Sequence, residues 1–108
     1  MKAIAAALLL AACVASLAAA QTTADFPSRP VKLLVPFAAG GPTDVVARIL
    51  ADLLSARWGG QSVIENRPGA GTIVATAALA KAPADGYTML VATNSLLINP
   101  AIGQKLPY

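Results

Sequence analysis

The sequence predicts an α/β fold on a parallel sheet, and three observations predict it. Short apolar runs suited to buried strands alternate with stretches of helical period. The connections between them are only a few residues long, and glycine-bearing turns follow the first two runs. A β-α-β-α-β order with such connections implies parallel strands joined by right-handed crossovers.

Each element has its own signal. Gln21 to Pro30 (residues 21–30) is a polar leading segment that Pro27 and Pro30 keep extended. Val31–Val35 is the first strand, an apolar run bounded by Pro30 and Pro36. Gly40-Gly41 permits backbone geometry that a Cβ would block. Pro42 suits a first helical position, where a missing N–H costs nothing. The helix it opens is expected from Pro42 to about Arg57. Val45, Val46, Ile49, Leu50, Leu53 and Leu54 make one apolar stripe on it, with Asp44, Arg48, Asp52 and Ser55 on the opposite side. Asp44–Arg48 and Arg48–Asp52 are i,i+4 pairs. Gly59-Gly60 stops the helix, and Trp58 is expected in the core at its end.

Ser62 to Glu65 reads as a second strand, and Asn66 to Gly71 as a second glycine turn. An Ala-rich helix should follow, roughly Thr72 to Lys81, with Ile73, Val74, Ala77 and Ala78 as a narrow face for close packing on the sheet. Pro83-Ala84-Asp85-Gly86 is a turn by composition. Tyr87 to Ala92 is a third strand, closed by Thr93-Asn94-Ser95. Asn99-Pro100 reads as the cap and first residue of a short helix. The strand ends at Phe37, Asn66 and Thr93 then share one sheet edge, where open α/β sheets bind ligands.

Composition narrows the chemistry. Residues 1–20 form a secretory signal peptide: Met1-Lys2 is followed by an apolar run ending in Ala18-Ala19-Ala20. Cys13 lies in that run, and Leu10-Ala11-Ala12-Cys13 resembles a lipoprotein cleavage box. Removal with the signal is the expectation, leaving a mature chain with no cysteine. About half of what remains is apolar, an ordinary globular proportion. The basic residues are dispersed and carry no interleaved aromatics, so no nucleic-acid surface is indicated. The chain has no histidine. Its five acidic residues are scattered, so neither a metal cage nor a cofactor is expected.

Neither glycine turn is a nucleotide motif. Gly69-Ala70-Gly71 lacks the third glycine of the dinucleotide fingerprint, and no Gly-Lys-Ser/Thr occurs. Ser95 has no base for nucleophilic work and is expected as a hydrogen-bonding wall residue. Asn94 has two readings, donor to a carboxylate or cap of the strand end. Arg67 is expected to pair with Glu65 or a backbone carbonyl. What remains is recognition of a small anion. The first turn opens a helix, Asp44 suits the positive end of its dipole, and its leading amides suit a carboxylate or phosphate. A βα turn that binds nothing is the competing reading.

Four ordered motifs carry a resemblance across Ser28 to Tyr108. They are R-P-V-K-L-L-V-P-F-A-A-G-G-P-T-D-V-V-A-R, E-N-R-P-G-A-G, A-P-A-D-G-Y-T-M-L, and I-N-P with a final L-P-Y. Together they resemble the Bug (Bordetella uptake gene) receptors, solute-binding proteins of tripartite tricarboxylate transporters. The resemblance implies a parallel β-α-β-α-β part of domain 1 of the type II periplasmic binding protein fold. It implies a periplasmic, non-enzymatic receptor for amino acids, dicarboxylates, tricarboxylates or aromatic acids, which hands its ligand to membrane subunits. It also implies that the loop Phe37, Ala38, Ala39, Gly40, Gly41, Thr43 and Asp44 holds a ligand carboxylate through main-chain groups and ordered waters. Thr93, Asn94 and Ser95 would face the same cleft.

Two departures stand out. The family usually has G-A-G-G at the second turn and another glycine three residues later; Thr72 and Ala75 occupy those places here. The chain also stops where such receptors continue, so residues 31–108 are expected to be a partial amino-terminal lobe with the second lobe absent. The alternatives are a truncated remnant with no transport role and a small α/β hydrolase.

Overall fold

The computed structural model describes residues 26–108. The expected signal peptide, Cys13 and half of the leading segment lie outside the described residues. Three parallel strands, β1 (Val31–Val35), β2 (Ser62–Asn66) and β3 (Thr88–Leu90), form one sheet in the order β2-β1-β3. Helix α1 (Pro42–Trp58) joins β1 to β2. A short turn of helix (Ala70–Thr72) and α2 (Ile73–Ala80) join β2 to β3, and α3 (Ser95–Ala101) follows. The expected β-α-β-α-β order is therefore present.

The first crossover steps from β1 to one neighbour and the second steps back past β1 to the other. Right-handed connections then put α1 and α2 on opposite sheet faces. Side chains agree. Val31, Leu33 and Ile64 pack with Ala51, Leu54 and Trp58 of α1. Lys32, Leu34, Glu65 and Thr88 line a hollow beside Ala78 of α2. Central β1 is covered on both faces, which is why its run reads as nearly continuous apolar residues. Lys32 interrupts the run, is exposed and pairs with Glu65.

Helix α1 is turned the other way round from its apolar pattern. A stripe of Val, Ile and Leu is ordinarily the buried side of a helix. Here Val45, Val46, Ile49, Leu50 and Leu53 are exposed, by as much as 64% at Leu53, and only Leu54 of the stripe packs against the core. The inward residues are Asp44, Ala47 and Ala51, all buried. Two physical reasons account for the inversion. Ala47 and Ala51 are small enough to let the helix backbone approach the sheet. Ser55 and Asp44, the polar residues on that side, are hydrogen-bonded there: the Ser55 hydroxyl donates to Ala51 O at 2.7 Å and accepts from Ser62 N at 2.9 Å. Arg48 pairs with Asp44, while Asp52, its other expected partner, acts on it only as a more distant charge.

Smaller corrections follow the same logic. Helix α2 buries Ala75 and Thr76 rather than Val74, which is 43% exposed. The hydroxyl of the buried Thr76 is satisfied locally, donating to Thr72 O. Strand β3 is shorter than the expected Tyr87 to Ala92, although bonds from Lys32 N to Tyr87 O and from Val91 N to Leu34 O extend its pairing by one residue each way. Helix α3 begins before Asn99 because Leu96, Leu97 and Ile98 already donate to Thr93 and Asn94 carbonyls. Asn99 is thus a buried interior residue, not a cap, and Pro100 lies inside the helix.

Trp58 is half-buried against the core, as expected of it. Phe26 meets it edge-on at 5.7 Å and lies 5.0 Å from the Tyr87 ring. The Arg29 guanidinium stacks 4.1 Å above Tyr87 and bonds Asp85 at 2.7 Å. These contacts tie the leading segment to the start of β3.

Candidate functional site

Parallel strands end together, and register fixes which ends are neighbours. Val35 pairs with Asn66, and Leu34 with Leu90. Three residues beyond Leu34 and Leu90 come Phe37 and Thr93. The strand ends expected at Phe37, Asn66 and Thr93 therefore lie on one edge. The crossover leaving β1 and the crossover leaving β2 run in opposite directions across the sheet, so this edge holds a topological switch point.

The first glycine turn leaves β1 at this edge. Phe37, Ala38, Ala39 and Gly40 are exposed, while Gly41 and Thr43 are half-buried. Gly40 has φ +85°, a left-handed geometry that a side chain would strain. Gly41 takes the N-cap position and Pro42 the first helical position, as the sequence predicts. The Gly41 N–H makes a long 3.4 Å bond to Ala38 O. The first helical rung runs from Val45 N to Gly41 O at 3.0 Å. The N–H groups of Thr43 and Asp44 thus lie ahead of the ladder, where helices leave donors for outside acceptors.

The Asp44 side chain is turned inward rather than along the exposed side. Its carboxylate accepts from Gly40 N at 2.9 Å, from Arg48 Nε at 2.8 Å and from Asn66 Nδ2 at 2.8 Å. The Arg48 guanidinium, then the Gly40 amide and the Asn66 amide, hold its pKa down at about 2 from 3.8, against an opposing effect of burial. Arg48 is raised in return, chiefly by Asp44. The pair leaves the helix start close to neutral, so its leading N–H dipoles are not masked by an unbalanced carboxylate. Gly40 N–H is already spent on Asp44, which removes it from the donors a ligand meets.

Asn66 was not singled out from the sequence as a site residue. Its amide group donates to Asp44 and also to Phe37 O at 3.0 Å. Only its place at the end of the second strand, in register with the last residue of the first, points to this role. Arg67 pairs with Glu65, as expected, and is directed away from the first turn.

Thr93 is half-buried, with a buried Oγ1 that has no hydrogen-bond partner among the described residues. Asn94 occupies the N-cap position of α3 and makes no side-chain cap bond. Ser95 is the first residue of α3. Hollows elsewhere on the surface flank β2. One is lined by Arg48, Asp52, Gln61 and Val63, the other by Lys32, Glu65, Arg67 and Lys81. Neither includes the glycine turn, which is exposed from Phe37 to Gly40.

The second glycine turn is built differently. Gly69, Ala70, Gly71 and Thr72 have φ of +133°, +45°, +59° and +78° in succession. The place where Thr72 departs from the resembled G-A-G-G pattern is thus a left-handed position, which explains why glycine suits it. The turn keeps this backbone with threonine present. Thr72 N donates to Gly69 O at 3.0 Å, and the buried Asn99 donates to Gly71 O at 2.9 Å.

Comparison with known proteins places this architecture. Residues 46–108 match the model of the tripartite tricarboxylate transporter family receptor, TctC. Protein BugT of Bordetella pertussis is 44% identical over an alignment of 93 residues that covers 83% of this chain and 28% of BugT. The MatC structure from Rhodopseudomonas palustris with bound malate superposes with a TM-score of 0.71 at 40% identity, covering 77% of this chain and 29% of MatC. A structure from R. palustris with adipate gives 0.64 at 45% identity, over 66% of this chain and 24% of that one. The chain thus spans little more than a quarter of the length of the relatives it matches. With the fold, the motifs and the family model in agreement, the chain belongs to the tripartite tricarboxylate transporter receptor family.

Proposed function

We propose that this chain forms part of one lobe of a periplasmic receptor that holds a small organic carboxylate at the first glycine turn. The observation that carries the reading is the helix start itself. Thr43 and Asp44 present N–H groups ahead of the α1 ladder at the switch point of the sheet, beside an Asp44–Arg48 pair that balances its own charge. Phe37, Ala38, Ala39, Gly40 and Gly41 shape the shelf, and Thr93, Asn94 and Ser95 supply a polar flank. The ligands in the MatC and adipate structures are dicarboxylates, the class such a shelf suits.

Export to the periplasm follows from the leader-like residues 1–20, and delivery to membrane subunits from the family. The exposed stripe on α1 supports the partial-lobe reading: Val45, Val46, Ile49, Leu50 and Leu53 are where the rest of a receptor fold would pack. A cleft binder buries its ligand between two lobes, so one wall alone binds weakly.

An NMR titration of residues 21–108 with malate and with adipate tests this. Expected are amide shifts confined to residues 38–44 and 93–95, with a Kd weaker than about 1 mM. Shifts confined to the hollows beside β2 would overturn the site. No shift at any residue would instead fit a remnant without a transport role.

A further inference from the structure

We infer that Asn66, at the end of β2, is a positioning residue for the first glycine turn: it fixes the shelf by donating to both the Phe37 carbonyl and the Asp44 carboxylate. This rests on the proposed carboxylate site and adds to it a residue that never touches the ligand. The turn is exposed from Phe37 to Gly40 and has little packing of its own to hold it. What holds it is a chain of bonds. Asn66 Nδ2 reaches Phe37 O at 3.0 Å and Asp44 Oδ1 at 2.8 Å, and Asp44 Oδ2 takes the Gly40 N–H at 2.9 Å. Both ends of the turn are therefore referred to one amide on the neighbouring strand. The parallel register Val35 to Asn66 makes that reach possible.

The arrangement also selects donors. With Gly40 N–H committed to Asp44, an incoming carboxylate meets the N–H groups of Thr43 and Asp44 instead. If the Asn66 donor is lost, Asp44 swings on the Arg48 bonds alone, Gly40 N–H is released, and the donor set changes. Aspartate at position 66 keeps the shape but replaces the donor with a second anion facing Asp44. Serine keeps a shorter donor. Among the described residues, the charged partner of Asp44 is Arg48 on its own helix, and β2 presents to it the neutral amide of Asn66.

The test compares wild type with Asn66→Ala, Asn66→Asp and Asn66→Ser by NMR, using malate as the probe and reading the Gly40 amide and the Asp44 carboxyl carbon. Expected are a moved Gly40 amide and a raised Asp44 titration midpoint in the Ala and Asp variants. Malate perturbation at Thr43 and Asp44 should weaken at least fivefold in both, with partial recovery in the Ser variant. A purely structural role would track global unfolding instead and give no ranking of Ser above Asp. An unmoved Gly40 amide and an unchanged Asp44 midpoint in both Ala and Asp variants would overturn the inference. If malate shifts nothing in wild type, the carboxylate site fails, while the Gly40 and Asp44 readouts still decide whether Asn66 positions the turn.

Discussion

The two glycine turns solve the same problem with different means. Each leaves the end of a parallel strand and opens a helix. Each is also tied by an asparagine from farther along the chain: Asn66 of β2 for the first, Asn99 of α3 for the second. The first has one left-handed residue and is held by a buried carboxylate. The second runs through four consecutive positive-φ residues, two of them bearing a Cβ, and no charge takes part. The first turn is held by side-chain bonds whose strength depends on charge. The second stores backbone strain, which its hydrogen bonds and the packing of α2 and α3 must offset.

The comparison breaks most sharply at Asp44. Asp44→Ala strips partners from Gly40 N, Arg48 and Asn66 at once, two of the four bonds coming from a charged donor, and empties a site only 1% exposed. A fall in Tm of about 10 °C is expected by circular dichroism, the largest effect of any single change at either turn. Acid should reach the same bonds more gently. Asp44 titrates at about 2 in the folded chain against 3.8 for a free group. The folded form therefore takes up its proton later than the unfolded chain does. Its stabilisation is full above about pH 4 and is lost as pH falls through about 2. Glu65, lowered by Lys32 and Arg67, adds a contribution of the same sign. Urea midpoints measured between pH 5 and pH 2 should fall with acid. The slope should flatten in Asp44→Asn, whereas substitutions in the second turn should leave it unchanged.

Much of this was legible in the residues because local signals and tertiary demands agreed. Val31–Val35, the Gly41-Pro42 helix start and the glycine stop at Gly59 announce themselves through backbone chemistry that context cannot override. The facing of α1 was not legible. Its Val, Ile and Leu outnumber its alanines, so periodicity favours the aliphatic side, yet Ala47 and Ala51 meet the sheet. A pattern cannot say which of two apolar sides faces the sheet. The place of Asp44 in the first helical turn announces a helix-dipole carboxylate, but its bond to Asn66 spans 22 residues, and no local spacing encodes that pair. Asn99 looked like a cap because Asn-Pro is a common helix start. Its task is set instead by a carbonyl 28 residues earlier.

At the second turn the effects are smaller and have both signs. Asn99→Ala removes the donor to Gly71 O and leaves a small void at a residue only 7% exposed. A loss of about 1–2 kcal/mol is expected from urea unfolding. It should leave the Gly40 amide where it is in wild type, since no bond joins Asn99 to the first turn.

Relief of strain should act in the opposite direction. Ala70 is exposed at φ +45°, and a left-handed alanine costs on the order of 1 kcal/mol relative to glycine even after the greater freedom of unfolded glycine is counted. Ala70→Gly should therefore raise stability by up to about 1 kcal/mol, read as a higher urea midpoint with an unchanged slope. Thr72→Gly relieves a β-branched residue at φ +78°, but it also empties a site where the threonine is only 6% exposed. The two terms oppose each other, and the net change should be smaller than that of Ala70→Gly. If Thr72→Gly instead gave the larger gain, strain rather than packing would dominate this turn. If both variants lost stability, the left-handed backbone would not be the resting shape of the second turn, and the contrast with the first would fail.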